Sequence, residues 1–129
     1  MDRRARAILC LDAGAGATVG LLLLVLRAWV AELYGLPLAL VEVVGAANLA
    51  YGCCSGTLAL RAALGRAPSR AAVAALIAAN ATWAVVCVGL VALTWPSATA
   101  FGVAHLALEG LFVGGLAALE ARLVLPPRR

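Results

Sequence analysis

Eight residues in this chain have side chains whose chemistry is out of place in their apolar surroundings: Asp12, Glu42, Asn48, Tyr51, Asn80, Trp83, His105 and Glu109. Even on a lenient insertion scale, a charge at the centre of a bilayer costs about 2.5–3.5 kcal/mol, so each ionisable member needs a partner or a purpose. His105 and Glu109 are four residues apart and stack on one helix face, while Asn80 and Trp83 are three apart and neighbour each other on another. Imidazole changes charge near neutrality, and a carboxyl group among apolar neighbours holds its proton more firmly than one in water. A histidine and a glutamate so placed can exchange a proton at neutral pH. That ability serves general acid–base catalysis or proton-coupled movement of a substrate. Each residue also has a plainer use. Asn48 and Asn80 can bond neighbouring helices, Tyr51 and Trp83 can pack, Asp12 can reach Arg6 or a loop arginine, and Glu42 can pair with Arg27.

The setting of these residues follows from composition. Of 129 residues, 65% are apolar and 12% charged, against about a quarter charged in a soluble protein, and the mean hydropathy is +1.05. These values exclude a water-soluble globule. A spanning helix takes about 20 apolar residues, and the chain offers four such runs, Ala5–Val30, Leu38–Leu60, Ala71–Thr94 and Ala100–Leu123. They fill residues 1–129 as a single integral membrane domain. The first run follows Arg3, Arg4 and Arg6, yet it is too long for the apolar region of a cleaved signal and another span follows it, so it reads as a permanent helix. Trp29, Tyr34, Gly35 and Pro37 mark an interfacial turn after it. Pro68 and Ser69 start the third span, and Ser97 or Thr99 can cap the fourth. Short loops make neighbouring spans antiparallel, so the expected fold is an all-α, up-down-up-down bundle of four transmembrane helices.

All ten basic residues are arginines, against six acids, for a net charge of +4. Their placement between apolar runs makes them topology markers rather than a nucleic-acid surface, and no nucleic-acid partner is expected. Nine of them, Arg3, Arg4, Arg6, Arg61, Arg66, Arg70, Arg122, Arg128 and Arg129, fall on one side of a four-span chain, and Arg27 alone falls on the other. Positive-inside then puts both termini in the cytoplasm of a bacterial cell, with the chain in its cytoplasmic membrane. Gly16 and Gly20 form a G-x-x-x-G that permits close helix packing, within the chain or between two copies. Cys10, Cys53, Cys54 and Cys87 lack the C-x-x-C of a dithiol centre. One histidine is too few for bis-histidine haem, and zinc spacings are absent, so neither metal nor other cofactor is expected.

Depth decides which groups meet. At about 1.5 Å per residue, Glu42 matches His105, Asn48 and Asn80 lie nearer Glu109, and Asp12 lies below them. The spans can thus bring Glu42, His105, Glu109, Asn48, Asn80, Tyr51 and Trp83 to one cavity, with Asp12 as its floor. One geometric obstacle stands out: Asn48 is about 120° from Glu42 around an ideal helix, so both face one cavity only if the helix bends near Gly45.

Leu11-Asp12-Ala13, Gly35-Leu36-Pro37, Asn80-x-x-Trp83 and Thr99-Ala100-x-Gly102 resemble the pattern of a diffuse group of small bacterial four-span membrane proteins. The resemblance covers nearly the whole chain and brings no activity with it. It implies that Asp12, Asn80 and Trp83 belong to the scaffold, and that Glu42, His105 and Glu109, which stand apart from the pattern, carry any specialised function.

Three functions fit these residues. The leading one is a membrane enzyme that binds a lipophilic substrate and performs cyclisation, isomerisation or epoxide opening without a cofactor. Glu109 would be the general acid, and His105 or Glu42 the base or water-orienting group. Asn48 and Asn80 would donate hydrogen bonds, Tyr51 and Trp83 would wall a developing cation, and Asp12 would close the floor. The second is a proton-coupled transporter acting as a homodimer, with Asp12 or Glu109 as its coupling site. The third is an accessory or assembly subunit that docks through small-residue faces.

Overall fold

The computed structural model describes residues 3–125. Arg128 and Arg129, two of the nine arginines counted on one side of the chain, lie outside the described residues. Five helices make up the chain: α1 (Arg3–Val25), α2 (Arg27–Tyr34), α3 (Leu38–Ala63), α4 (Arg70–Thr94) and α5 (Ala100–Leu123). All but α2 are long and apolar enough to cross a bilayer. The protein is an integral membrane protein with an all-α, four-helix bundle.

The first apolar run is not one helix to Val30. The helix is interrupted at Leu26, whose φ of −100° and ψ of 16° leave the helical region, and α2 begins at Arg27. The interruption falls where polar residues resume, and it leaves Arg27 3.2 Å from Glu42 of α3. α2 ends at Gly35, whose φ of +63° is left-handed. There Gly35 N–H donates to Glu32 and Leu36 N–H to Ala31, the paired bonds that close a helix C-terminus. The end of α2 is then tied to the start of α5. Thr99 N–H donates to the Tyr34 carbonyl at 2.8 Å and Thr99 Oγ1 to the Leu33 carbonyl at 2.8 Å. The same hydroxyl accepts from Gly102 N–H as the cap of α5. Gly102 has to be glycine because a Cβ there would press against the Tyr34 carbonyl.

The long helices associate as two pairs, α1 with α3 and α4 with α5, which meet each other mainly through α1 and α5. Glycine makes the first pair close. A Cβ on Gly20 would run into the backbone of Leu49, and one on Gly52 into the backbone of Ala17. Without water to drive apolar association, such backbone approach and the dispersion contacts it allows hold helices together in lipid. The G-x-x-x-G of Gly16 and Gly20 is therefore spent inside the chain.

Apolar clusters close both ends of the bundle. Leu9, Ala59, Val73, Leu76 and Val124 pack at the arginine-rich end. Leu23, Val30, Leu36, Val41, Val44 and Leu106 pack at the α2 end. The polar interior lies between them.

Replacing Gly20 by alanine is expected to lower the thermal unfolding midpoint in mild detergent, at an overpacking cost of about 1–3 kcal/mol. Gly14→Ala should leave the midpoint unchanged or raise it, since an added Cβ there meets nothing within 4 Å and alanine is the better helix former.

Candidate functional site: a polar cavity between the helix pairs

The gap between the pairs is a cavity of about 460 Å³ with contributions from α1, α3, α4 and α5. Its polar side chains fall into two groups at different depths. The group nearer α2 centres on Glu109. Asn48 Nδ2 donates to Glu109 Oε1 at 2.7 Å and Trp83 Nε1 donates to the same oxygen at 2.6 Å. Two N–H donors on one oxygen make Glu109 an acceptor there. Its other oxygen, Oε2, lies 3.0 Å from His105 Nε2. This is an ion-pair approach in which the ring N–H is not aimed along the line, so neither atom has a well-directed hydrogen bond. His105 Nδ1 lies 3.3 Å from the Tyr34 hydroxyl, and the two rings are tilted against each other with centroids 5.2 Å apart. Burial first, and the Glu109 charge second, raise the Tyr34 phenol above its ordinary pKa, so it stays protonated at neutral pH.

The deeper group centres on Asn80. Its Nδ2 donates to Asp12 Oδ1 at 3.3 Å and to Glu120 Oε2 at 3.2 Å. Tyr51 donates its hydroxyl to Asp12 Oδ2 at 2.7 Å. Asp12 thus accepts on both oxygens. Glu120 is fully buried, and its Oε1 has no hydrogen-bond partner among the described residues. No arginine or histidine forms an ion pair with Asp12 or Glu120 among the described residues. The sequence reading placed Asp12 beside Arg6 or a loop arginine as its plainer use; Tyr51 and Asn80 are its partners instead.

Seven of the eight residues singled out in the sequence line this cavity: Asp12, Asn48, Tyr51, Asn80, Trp83, His105 and Glu109. Glu42 does not. It is paired with Arg27 and its side chain is 40% exposed. α3 runs unbroken from Leu38 to Ala63, and the angular separation of Glu42 from Asn48 leaves it outside the cavity lining. Asn80 also differs from its expected place, joining Asp12 rather than Glu109. Two residues bonded to these polar groups behind the cavity lining were not singled out, Tyr34 and Glu120. The signal for Glu120 was present: it lies eleven residues after Glu109, about 20° away around the helix and so on the same face of α5.

The cavity has apolar walls and its edge is on the flank of the bundle. Ala79, Leu108 and Phe112 line it yet are exposed at mid-helix, and the apolar clusters block both ends. The flank is thus the side on which apolar lining residues of the cavity reach the surface.

Asn80→Leu would strip two buried carboxyl groups of their shared donor. It is expected to cost at least about 1–3 kcal/mol of stability, seen as a lower unfolding midpoint in detergent. Glu42→Gln breaks only the part-exposed pair with Arg27 and should leave that midpoint within error of the parent.

No protein family, curated protein or solved structure matches this chain.

Proposed function

We propose that the protein is a small integral membrane enzyme that draws a lipophilic substrate from the bilayer and isomerises or cyclises it by acid–base chemistry. The observation that carries this reading is the His105–Glu109 pair, held at 3.0 Å in the wall of an apolar cavity that exposed apolar side chains border on the flank of the bundle. His105 is the acid–base group. It gives a proton to one carbon of a substrate double bond and, once neutral, recovers a proton from another carbon, so the protein returns to its starting state with no change in oxidation level. Glu109 balances the imidazolium charge, and Asn48 and Trp83 hold the carboxylate in place by their bonds to Oε1. Tyr34 orients the far side of the imidazole. The aromatic faces of Trp83 and Tyr51 suit a cation developing on the substrate. This assignment gives the acid role to His105 rather than to Glu109, because Glu109 accepts on Oε1 and faces His105 with Oε2. It gives no chemical role to Glu42.

The orientation that goes with this reading puts the arginine-rich end in the cytoplasm of a bacterial cell. Arg3, Arg4, Arg6, Arg61, Arg66, Arg70 and Arg122 stand at that end among the described residues, with Arg27 at the other. α2, with Trp29 exposed and Trp95 nearby in the α4–α5 turn, then lies at the outer interface.

Proton transfer at carbon can be detected without knowing the substrate. Purified protein incubated with a bacterial membrane lipid extract in D2O is expected to place deuterium at a carbon-bound position of one lipid species, seen as a mass shift. His105→Ala should abolish the labelling, and Glu109→Gln should slow it by about two orders of magnitude or more. Labelling that persists unchanged in both variants, or that never occurs with the unaltered chain across extracts from several bacteria, sinks the enzyme reading.

A further inference from the structure

The His105–Glu109 pair is the better balanced of the two polar groups. Glu109 has an imidazole against Oε2 and two N–H donors on Oε1. Asp12 has neutral donors, chiefly the Tyr51 hydroxyl and the Asn80 amide, with the Ser55 hydroxyl beside them. Both of its oxygens are within hydrogen-bond distance of donors, bonding that suits a carboxylate. Behind Asn80 stands a second carboxyl group, Glu120, with one oxygen bonded and the other unpartnered although the residue is fully buried. With donors on only one oxygen, Glu120 is less well placed than Asp12 to carry a negative charge, so a single charge falls on Asp12. Neutral donors offset only part of the cost of removing a carboxylate from water, and a cation of opposite charge offsets much more.

The cavity lies directly over Asp12 and lacks a basic group at that depth. Around it are Tyr51 and Trp83, whose ring faces attract cations, and the apolar edge of Ala79, Leu108 and Phe112. An inorganic cation is a poor fit. Asn80 turns its N–H donors, not its oxygen, toward both carboxyl groups, so the positive end of the amide occupies the position from which a metal ion would have to bridge them. An anionic lipophile is disfavoured by Asp12 and Glu109 alike.

We infer that the cavity binds a lipophilic organic cation, such as a protonated amine or a quaternary onium ion, with Asp12 as its counter-ion. This names the substrate class of the site proposed above and rests on that site's being a binding cavity, but not on proton transfer by His105. For the enzyme, the same feature means a substrate that carries positive charge or develops it close to Asp12.

The test uses two probes of the same shape and opposite charge, tetraphenylphosphonium and tetraphenylborate, in equilibrium dialysis against the purified full chain in mild detergent, with protein-free micelles subtracted. Saturable binding of the phosphonium without saturable binding of the borate is the expected result. Asp12→Asn, which keeps an oxygen for the Tyr51 hydroxyl, should weaken phosphonium binding by about tenfold or more. Equal binding of both probes, binding of neither, or unchanged phosphonium affinity in folded Asp12→Asn overturns the inference. The charge preference is measured on the unaltered chain, so it stands even where the variant folds poorly. Phosphonium binding in a protein that leaves no deuterium on any lipid would remove the enzyme reading and keep the cation site; deuterium labelling without phosphonium binding would do the reverse.

Discussion

Three carboxyl groups lie in the interior of a bundle whose arginines stay at its ends, and the lipid around it can satisfy none of them. The arrangement of the polar interior follows from this constraint. Each carboxyl group has to find donors on helices other than its own, and the donors are mostly neutral: Asn48 and Trp83 for Glu109, Tyr51 and Asn80 for Asp12, Asn80 again for Glu120. Two of these bonds, Asn80 to Asp12 and Asn48 to Glu109, cross between the two helix pairs, where apolar packing is thinnest, and the other three tie helices within a pair. The polar groups thus both need the bundle and help to close it.

The cavity exists because the packing is uneven. In the first pair, glycines let α1 and α3 meet backbone to backbone. Between the pairs no comparable glycine contact draws α3 toward α4, and the space is left to the polar side chains. Apolar clusters at both ends keep that space from becoming a continuous water path. A cavity plugged above and below and bordered on its flank by Leu108 and Phe112 is more accessible to a molecule dissolved in the membrane than to one dissolved in water. That access path and the acid–base pair in the wall support the same reading.

Much of this was legible in the sequence, because membrane spans obey simple rules of length and charge placement. The four spanning helices follow from the apolar runs, and the meeting of Asn48, Trp83, His105 and Glu109 follows from depth alone. Depth was a weaker guide where a side chain's direction mattered. Glu42 matches His105 in depth, yet it lies about 120° from Asn48 around α3 and turns away to Arg27. Glu120 sits one turn from the end of α5 beside Arg122, where a charge reads as a surface residue; its eleven-residue spacing from Glu109 is the clue that it faces inward. Tyr34 was hidden for a different reason. Its place beside His105 depends on Thr99 binding the last carbonyls of α2, a contact across more than sixty residues that no local pattern announces. That contact also gives a physical meaning to two of the short motifs, since Gly35-Leu36-Pro37 and Thr99-Ala100-x-Gly102 are the two sides of one joint.

The bonding of Asp12 also has a bearing on biogenesis. A chain is made from its N-terminus, so Asp12 enters the membrane long before its partners: Tyr51 follows 39 residues later and Asn80 68 residues later, while Glu120 and Glu109 arrive with the last helix. Until α3 is in place the aspartate has no donor from another span. Until α5 joins, Asn48, Asn80 and Trp83 lack the carboxyl groups of Glu109 and Glu120. α5 therefore completes both polar groups, and a nascent chain that has not yet inserted it displays a polar surface that insertion factors and membrane proteases can distinguish from the finished bundle.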